Sequence, residues 1–323
     1  MTLLLREADV HAVLTMPLAI EAVEESLRHL ADGSAVMHPR QRFSLLEKTH
    51  LHYMAAADTV RGYAGLKIYT WASGRLRFLV PLLRITTGEL LALIEADKLG
   101  QMRTGAASGV ATKYMSRPDS VTVGIVGTGW QARAQLEAVT AVRKIERIRA
   151  FGRDAESRAK FAREMTQQLH LPVEAVASAE DTVREADIAI SATTASKPVI
   201  AGAWVAPGAH INAIGANFAQ KRELDDAAVH RAGIIAVDSR EQAKLESGDL
   251  IQAFREDPAA WSAVKELSEI VVNGTPGRTS ERQITLFKSN GIAIWDVACA
   301  ARVYELAKEQ GRGENVRMDF TPS

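Results

Sequence analysis

The fold of this chain is decided by one stretch near its middle, which reads Ser120-Val121-Thr122-Val123-Gly124-Ile125-Val126-Gly127-Thr128-Gly129-Trp130-Gln131-Ala132. An apolar, β-branched run enters a Gly-x-Gly-x-x-Ala turn, and the residues after the turn have the periodicity of a helix. A second short apolar run then leads into Gly152-Arg153-Asp154. This order of strand, glycine turn, helix and strand predicts a dinucleotide-binding fold.

Each small residue of the turn has a physical role in that prediction. Gly127 permits the tight turn, Gly129 lets a pyrophosphate approach the backbone, and Ala132 lets the helix pack on the strand. The phosphates then lie at a helix N-terminus, where N–H groups and the helix dipole favour negative charge. The alternative is a tight turn in some other α/β protein, but the flanking elements favour the dinucleotide. Residues 127–132 are therefore all predicted to bind the cofactor.

The end of the second strand bears on which dinucleotide binds. A carboxylate at that position would accept the ribose hydroxyls of NAD, whereas this chain has Gly152 there, followed by Arg153. An arginine suits the 2′-phosphate of NADP, which favours NADP(H) over NAD(H). The alternative is that Arg153 is a solvated surface charge and that Asp154 binds the ribose.

Composition limits the classes of protein to which the chain can belong. Its 323 residues suit about two domains, and 39 basic against 39 acidic residues give no electrostatic case for nucleic acid or an anionic membrane. The single cysteine, Cys299, cannot form an internal disulfide and fits a reducing compartment. We see no signal peptide and no membrane-spanning run, so a cytoplasmic enzyme is expected.

The segment before the dinucleotide motif contains two basic residues in unusual settings. Residues 36–85 are predicted to form several antiparallel strands, with turns that include residues 47–48, and Lys67 lies within one apolar strand. It is either a lysine on a solvated sheet face or a lysine that faces a cleft and polarises a carbonyl or imine. Residues 97–116 are predicted to form a helix rich in small residues. Arg103 stands at the start of the part where small side chains are most frequent. Another turn is predicted at residues 274–278.

Polar residues follow two later strands of the predicted parallel sheet. Because ligands of open α/β sheets bind at the carboxyl ends of the strands, these residues are expected beside the dinucleotide. They are Ser191, Ala192 and Thr193 after one strand, and Gly215 and Asn217 after the next. His50 and His52 have a spacing that can bind metal, but no acid or cysteine cluster accompanies them, so no metal site is predicted.

Several short motifs occur in this chain, and their combination is specific although any one of them alone would not be. In chain order they are Gly65-Leu66-Lys67, Arg103-Thr104-Gly105-Ala106-Ala107-Ser108, Gly127-Thr128-Gly129-Trp130-Gln131-Ala132, Gly208-Ala209-His210-Ile211-Asn212-Ala213-Ile214-Gly215, Lys221-Arg222-Glu223-Leu224-Asp225, Glu246-Ser247-Gly248-Asp249-Leu250 and Phe287-Lys288-Ser289-Asn290-Gly291. With these motifs the chain resembles the ornithine cyclodeaminase/mu-crystallin family over nearly its whole length.

The resemblance implies an α/β protein in which a doubly wound Rossmann domain is inserted into an α+β domain. On this basis residues 1–117 with 298–323 are expected to form the substrate-binding and dimerisation domain, and residues 118–297 the Rossmann domain. The resemblance also implies a homodimer whose substrates are small α-amino or α-imino acids.

The resemblance implies particular roles in substrate binding. Two arginines and a lysine hold the substrate carboxylate, and these roles fall on Arg42, Lys67 and Arg103. Arg40 competes with Arg42, which is preferred for its distance from Met54. Planar guanidinium groups suit a carboxylate, and Lys67 can act as an acid toward the imine nitrogen. Met54 is expected to line the substrate pocket, whose shape also depends on Tyr69, Trp71 and Trp295.

The chain departs from the cyclodeaminase pattern beside the expected nicotinamide position. Asn217 stands where cyclodeaminases have an aspartate that handles the amine, and an amide cannot accept a proton in that role. Lys288, where many members have an acid, is expected to change the charge of the pocket, and both Lys288 and Ser289 are expected to contact the cofactor. Asn217 is assigned to both the substrate and the cofactor.

Together these features favour an NADPH-dependent reductase of α-imino acids, such as the cyclic pyrroline- and piperideine-2-carboxylates or the imines of 2-oxo acids with amines. Two alternatives stay open: an ornithine cyclodeaminase or alanine-type amino-acid dehydrogenase, and a non-enzymatic NADPH- or small-ligand-binding protein of the mu-crystallin type.

Overall fold

The computed structural model describes residues 1–46, 49–72, 74–273 and 278–318. The turns predicted at residues 47–48 and 274–277 lie outside these ranges. Two compact units are present: residues 1–103 with the described part of 292–323, and residues 104–291. The predicted boundaries, after residues 117 and 297, fall later in the chain. The helix that contains Arg103 continues past the first division without a break, so no change of local pattern marks that point in the sequence.

The first unit is an antiparallel-rich sheet with helices. Its strands and helices are β1 (Thr2–Leu5), α1 (Glu7–Val13), α2 (Met16–Ala31), β2 (Ala35–Met37), β3 (Gln41–Leu46), β4 (Thr49–Asp58), β5 (Tyr63–Ala72), β6 (Arg75–Arg84), β7 (Leu90–Glu95), the start of α3 (Asp97–Met115), and, after the second unit, α11 (Ala293–Glu309) and β16 (Glu314–Val316). The strand order is β16-β1-β7-β6-β5-β4-β2, and β3 also pairs with β4. Only the β1–β7 pair is parallel, so the antiparallel strands expected within residues 36–85 are confirmed.

The last long helix provides much of the core of the first unit. Helix α11 is built from small and apolar residues, is almost entirely buried over its first three turns, and packs against α2 and strands β4, β5 and β6. The apolar residues of this segment recur at helical spacing in the sequence, in agreement with a helix over Ala293–Glu309. One charged side chain, Asp296, lies in this apolar helix with no exposed surface.

The second unit is a parallel sheet with alternating helices. After the rest of α3, its elements are β8 (Thr122–Val126), α4 (Trp130–Val142), β9 (Arg147–Phe151), α5 (Ala155–Leu169), β10 (Val173–Ala175), α6 (Ala179–Val183), β11 (Ile188–Ser191), β12 (His210–Ala213), α7 (Asp226–His230), β13 (Ala232–Val237), α8 (Arg240–Glu246), α9 (Gly248–Ala253), β14 (Lys265–Glu266), α10 (Leu267–Asn273) and β15 (Ile284–Lys288), with short 3₁₀ helices at Gly202–Trp204 and Pro258–Ala263. The strand order is β10-β9-β8-β11-β12-β15-β13-β14, and every pair is parallel.

This strand order produces a crevice where the chain reverses direction across the sheet. The chain runs outward from β8 through β9 to β10, then returns to place β11 on the other side of β8. In open α/β sheets, ligands bind outside the carboxyl ends of the strands at such a point. The predicted doubly wound sheet is confirmed. Within the described ranges, no helix has the length and apolar character needed to cross a membrane.

Candidate active site

Lys67 is buried inside the first unit. It lies on β5 opposite Met54 of β4, and its side chain is only 3% exposed, which excludes the interpretation as a lysine on a solvated sheet face. Its Nζ donates to Asp296 Oδ1 at 3.0 Å and lies 4.8 Å from the centre of the Phe78 ring. A carboxylate and the face of an aromatic ring both stabilise an ammonium group away from water.

Arg103 joins the same carboxylate from α3. Its Nε donates to Asp296 Oδ1 at 3.0 Å, and its side chain is also buried. The structure therefore brings together two of the three residues that were expected to hold a substrate carboxylate. Asp296 was not predicted, although an acid in an otherwise apolar helix was a signal that could have identified it.

The environment of Lys67 changes its protonation. Burial first, and then the charges of Arg103 and Arg40, lower the pKa of Lys67 to about 8, although Asp296 opposes the shift. A lysine ammonium with this pKa can both carry a charge and release a proton near neutral pH, which suits a general acid. Perturbed groups of this kind mark functional sites more often than ordinary surfaces.

The two candidate arginines of the β2–β3 region differ in their surroundings. Arg40 is 8% exposed, and its charge contributes to the lowered pKa of Lys67. Arg42 is half-buried and pairs in register with His52. Both lower the pKa of His52. The preference for Arg42 over Arg40 is therefore not supported by burial or by proximity to Lys67. Its basis was distance along the sequence from Met54, which does not report where a side chain ends.

Aromatic side chains line the face of the sheet that carries Lys67. The His52 ring stacks on Tyr69 with 4.4 Å between centroids, and Tyr69 lies 5.1 Å from Phe78. Burial first, and then the neighbouring arginines, lower the pKa of His52 to about 4, so its ring is neutral near pH 7. Trp295, by contrast, is fully buried in α11, and Trp71 is largely exposed.

Metal ligation has no support in the part of the chain that the structure describes. There, no three His, Cys, Asp or Glu side chains converge as a metal site. The rings of His50 and His52 are 6.3 Å apart, edge to face, and His52 stacks on an aromatic ring.

In the second unit, the residues predicted to bind the dinucleotide gather at one edge of the sheet. Residues 127–132 follow β8, residues 152–154 follow β9, Ala192 and Thr193 follow β11, and Gly215 and Asn217 follow β12. All are at carboxyl ends of neighbouring parallel strands, on both sides of the β8–β11 reversal. Ser191 is the last residue of β11 and is fully buried.

The glycine turn has the geometry that a pyrophosphate requires. Gly127 has φ 113°, and a Cβ there would lie 2.3 Å from the Ala192 carbonyl oxygen, so the backbone itself requires glycine. A Cβ at Gly129 would meet nothing within 4 Å. Gly129 is also the N-cap of α4, which has neither a side-chain cap nor an acid in its first turn. An open, uncapped helix N-terminus fits the phosphates of a dinucleotide.

A buried glutamate, Glu223, joins the loops after β11 and β12. Its Oε1 accepts from the Thr193 N–H at 2.7 Å and the Thr193 hydroxyl at 2.6 Å. Its Oε2 accepts from the Gly215 N–H at 2.6 Å, the Ala216 N–H at 3.2 Å and the Ser191 hydroxyl at 3.1 Å. Glu223 therefore fixes the loops expected beside the nicotinamide. Glu223 belongs to the motif Lys221–Asp225, but no role for it was predicted from the sequence.

Lys288 and Ser289 do not have the surroundings that were expected of them. Lys288 is fully buried, donates to the Ala216 carbonyl at 2.6 Å, and lies 3.3 Å from Asp249 Oδ2. Its charge is thus paired inside the unit and does not change the charge of a pocket. The Ser289 hydroxyl donates to Asp238 Oδ2 at 3.0 Å. Both residues hold the end of β15 against neighbouring loops, and their contact with the cofactor stays a prediction.

The three residues after β9 differ in whether they are free to contact a dinucleotide. A Cβ at Gly152 would lie 2.3 Å from Thr128 Oγ1, so the two loops touch. Asp154 caps α5 by accepting from the Ser157 N–H at 2.8 Å, and this bond lowers the pKa of Asp154. Arg153 is exposed, and among the described residues it has no hydrogen bond or ion pair. The exposed cation is therefore free to meet an anion, whereas the acid is engaged in a helix cap.

Substitution of the two turn glycines should separate folding from cofactor binding. Gly129→Ala places its methyl in open space, so the free energy of unfolding should stay within about 0.5 kcal/mol of the wild type. The same methyl occupies the phosphate approach, and the Kd for the dinucleotide should rise about tenfold or more.

Gly127→Ala is the matched comparison. Its methyl meets a backbone carbonyl and forces a left-handed φ, so stability should fall by about 1–3 kcal/mol. Urea unfolding and titration with NADPH measure the two effects. Unchanged dinucleotide affinity in Gly129→Ala would contradict the placement of the phosphates.

Known proteins share both the sequence and the fold. The chain matches the ornithine cyclodeaminase/mu-crystallin family over residues 1–311. It is 40% identical over 231 residues to a Δ¹-pyrroline-2-carboxylate reductase of Bacillus cereus, covering 71% of each chain. The Thermococcus litoralis Δ¹-pyrroline-2-carboxylate reductase in complex with NADH and L-proline superposes with a TM-score of 0.93, at 38% identity over 98% of this chain and all of that one.

A second similar structure is described as a different enzyme. It is an archaeal alanine dehydrogenase, described as a dimer with bound NAD, with 34% identity and a TM-score of 0.91 over 98% of this chain and 99% of that one. The matched residues cover both units, the buried Lys67 and Arg103, and the glycine turn. This chain therefore belongs to the ornithine cyclodeaminase/mu-crystallin family.

Proposed function

We propose that this protein reduces α-imino acids, with cyclic ketimines such as 1-pyrroline-2-carboxylate as its preferred substrates, to the corresponding amino acids. The observation that carries the proposal is the buried pair of Lys67 and Arg103 on a single carboxylate. The similarity to Δ¹-pyrroline-2-carboxylate reductases supports the same substrate class. A reduced nicotinamide, when bound at the glycine turn, supplies a hydride for the imine carbon.

The residues of the first unit supply binding and a proton. Arg103, with Arg40 or Arg42, holds the substrate carboxylate, because guanidinium groups bind carboxylates through two parallel hydrogen bonds. Lys67 donates a proton on the nitrogen side, where the imine becomes an amine. Holding the substrate in one orientation lowers the barrier further by removing its translational and rotational freedom.

Alanine-type dehydrogenase activity is the second candidate, and the similarity to the archaeal alanine dehydrogenase favours it. Its imine, formed from a 2-oxo acid and ammonia, presents the same carboxylate and the same reducible carbon. Cyclodeamination of ornithine is less compatible with the chain, since Asn217 cannot accept a proton from the amine.

Turnover assays distinguish these reactions. Purified protein should oxidise NADPH fastest with 1-pyrroline-2-carboxylate, more slowly with pyruvate plus ammonium, and should release no ammonia from ornithine. Absorbance at the reduced nicotinamide band and an ammonia assay measure the two outcomes. Conversion of ornithine to proline without any ketimine reduction would overturn the proposal.

We also propose a preference for NADP(H), based on Arg153. The two similar structures described above hold NADH and NAD, so a preference for NADP(H) would distinguish this chain from them. Arg153→Ala should raise the KM for NADPH about tenfold or more, since one charge-assisted hydrogen bond to a phosphate is lost, and should leave the KM for NADH nearly unchanged. Arg163→Ala removes an exposed arginine farther along α5 and is the control. Equal effects of Arg153→Ala on both cofactors would contradict the proposal.

The choice between Arg40 and Arg42 is open to a paired test. Because Arg40 is buried and lies within the electrostatic field of Lys67, Arg40→Ala should raise the KM for the imino acid about tenfold or more, and Arg42→Ala should raise it less. Steady-state kinetics measure both, and thermal melting confirms that each variant folds. A larger effect of Arg42→Ala would reinstate the original preference.

We propose that the protein is a cytoplasmic homodimer. Strands β2, β3 and β6 of the first unit expose large apolar side chains, which a monomer would leave in contact with water. They are Val36, Phe43, Leu45, Leu46 and Leu76. The similar alanine dehydrogenase is described as a dimer, and a single buried cysteine suits a reducing compartment.

A further inference from the structure

Asp296 is the only residue among those described that joins Lys67 and Arg103 directly. It lies in the first turn of α11 with its side chain fully buried, and one of its oxygens, Oδ1, accepts from both Lys67 Nζ and Arg103 Nε at 3.0 Å. Three elements that are distant in the sequence, β5, α3 and α11, meet at this one atom.

We infer that Asp296 is the positioning residue of the imino-acid site, which holds Lys67 and Arg103 as one fixed set of hydrogen-bond donors for the substrate. This inference rests on the proposed function. Asp296 acts through the two cations and touches no substrate itself.

The geometry leaves donors on both cations for a ligand. An ammonium has three N–H groups, and Asp296 uses one of those on Lys67. Arg103 binds Asp296 through Nε, and in the described part of the chain its Nη1 has no partner. Lys67 is also confined on its other sides, since a Cβ at Gly100 would lie only 3.0 Å from Nζ and the Phe78 ring lies beneath it.

The charges of the cluster fit a monocarboxylate. Lys67, Arg103 and Asp296 together leave a net charge of +1, and Arg40 adds a further positive charge nearby, so the cluster attracts the single carboxylate of an α-imino acid. Without Asp296, two buried like charges would face each other, and the lysine would lose its proton most readily because arginine remains charged in proteins.

Several groups other than Asp296 face Lys67. Arg103 and Arg40 lower the pKa of Lys67. Asp97 also lies near Lys67: burial and then Glu7 raise the pKa of Asp97, and the Lys67 charge opposes that rise. Cys299, on the same helix as Asp296, has its pKa raised to about 12 by burial and stays a thiol. Asp296 is therefore the group that holds the proton on Lys67 against burial and against two arginines.

The test compares Asp296→Asn with the wild type in the pH dependence of kcat/KM for 1-pyrroline-2-carboxylate with NADPH. Activity should fall as pH rises through the pKa of Lys67, at about 8 in the wild type. Removing the carboxylate lowers that pKa, so in Asp296→Asn the fall should move to lower pH by about one to three units. The substrate's own ionisation is common to both proteins and cancels in the comparison.

Two further variants complete the experiment. Asp296→Glu keeps the charge but displaces it by one methylene, so it should keep the wild-type pH profile and raise KM. Glu305, like Asp296, lies on α11, and Glu305→Gln removes its ion pair with Arg61. This control variant should change neither the pH profile nor the KM. An unshifted profile in Asp296→Asn, or a uniform loss of activity at every pH in a variant that melts like the wild type, would overturn the inference.

A binding measurement tests the role of Asp296 without requiring that the protein turn over any substrate. Calorimetric titration of the NADPH-loaded protein with pyrrole-2-carboxylate, a flat monocarboxylate, should show binding that weakens above about pH 8 in the wild type and at lower pH in Asp296→Asn. If the wild type binds this probe but reduces no imine, the proposed function fails. The pH dependence of probe binding still tests the role of Asp296 in that case. If Asp296→Asn does not fold, an unchanged KM and probe affinity in Asp296→Glu would refute the inference.

Discussion

A single carboxylate oxygen holds the candidate active site together. Asp296 Oδ1 accepts hydrogen bonds from residues 229 and 193 positions away in the sequence, and all three side chains are buried. Burying two cations without a counter-ion would be strongly unfavourable, and removing one partner of a buried ion pair costs about 3–5 kcal/mol. The strand that carries Lys67 and the helix that carries Arg103 can therefore bring their charges together only because α11 returns to the first unit with an acid.

The second unit uses buried acids in a similar way. Glu223 accepts hydrogen bonds from the loops after β11 and β12, and the backbone N–H groups of Glu223 and Leu224 donate to Asp249 at 2.6 and 2.8 Å. Asp249 in turn lies beside Lys288. This network defines the carboxyl edge of the sheet, where backbone groups would otherwise lack partners. In both units a buried acid accepts hydrogen bonds from groups on separate elements and sets their positions.

Much of the architecture was predictable because it depends on local pattern. The β-branched run before Gly127, the glycine spacing and the helix after it are all set within about fifteen residues, and each has one favourable structural solution. The helix of α11 was predictable for the same reason, from its apolar periodicity. Lys67 and Arg103 could be selected because a charge in an apolar strand, or at the start of a helix rich in small residues, is unusual. The division between the units was not predictable, since it falls inside a continuous helix.

The amino-acid sequence was sufficient to define the dinucleotide fold, the family and the two cations of the candidate site. Tertiary structure alone decided which partner each charge has. It paired Lys288 with Asp249 inside the second unit, and it placed Asp154 in a helix cap while leaving Arg153 exposed. The physical reason is that motifs report spacing along the chain, whereas the charge and role of a side chain depend on groups within a few ångströms, most of which come from distant segments.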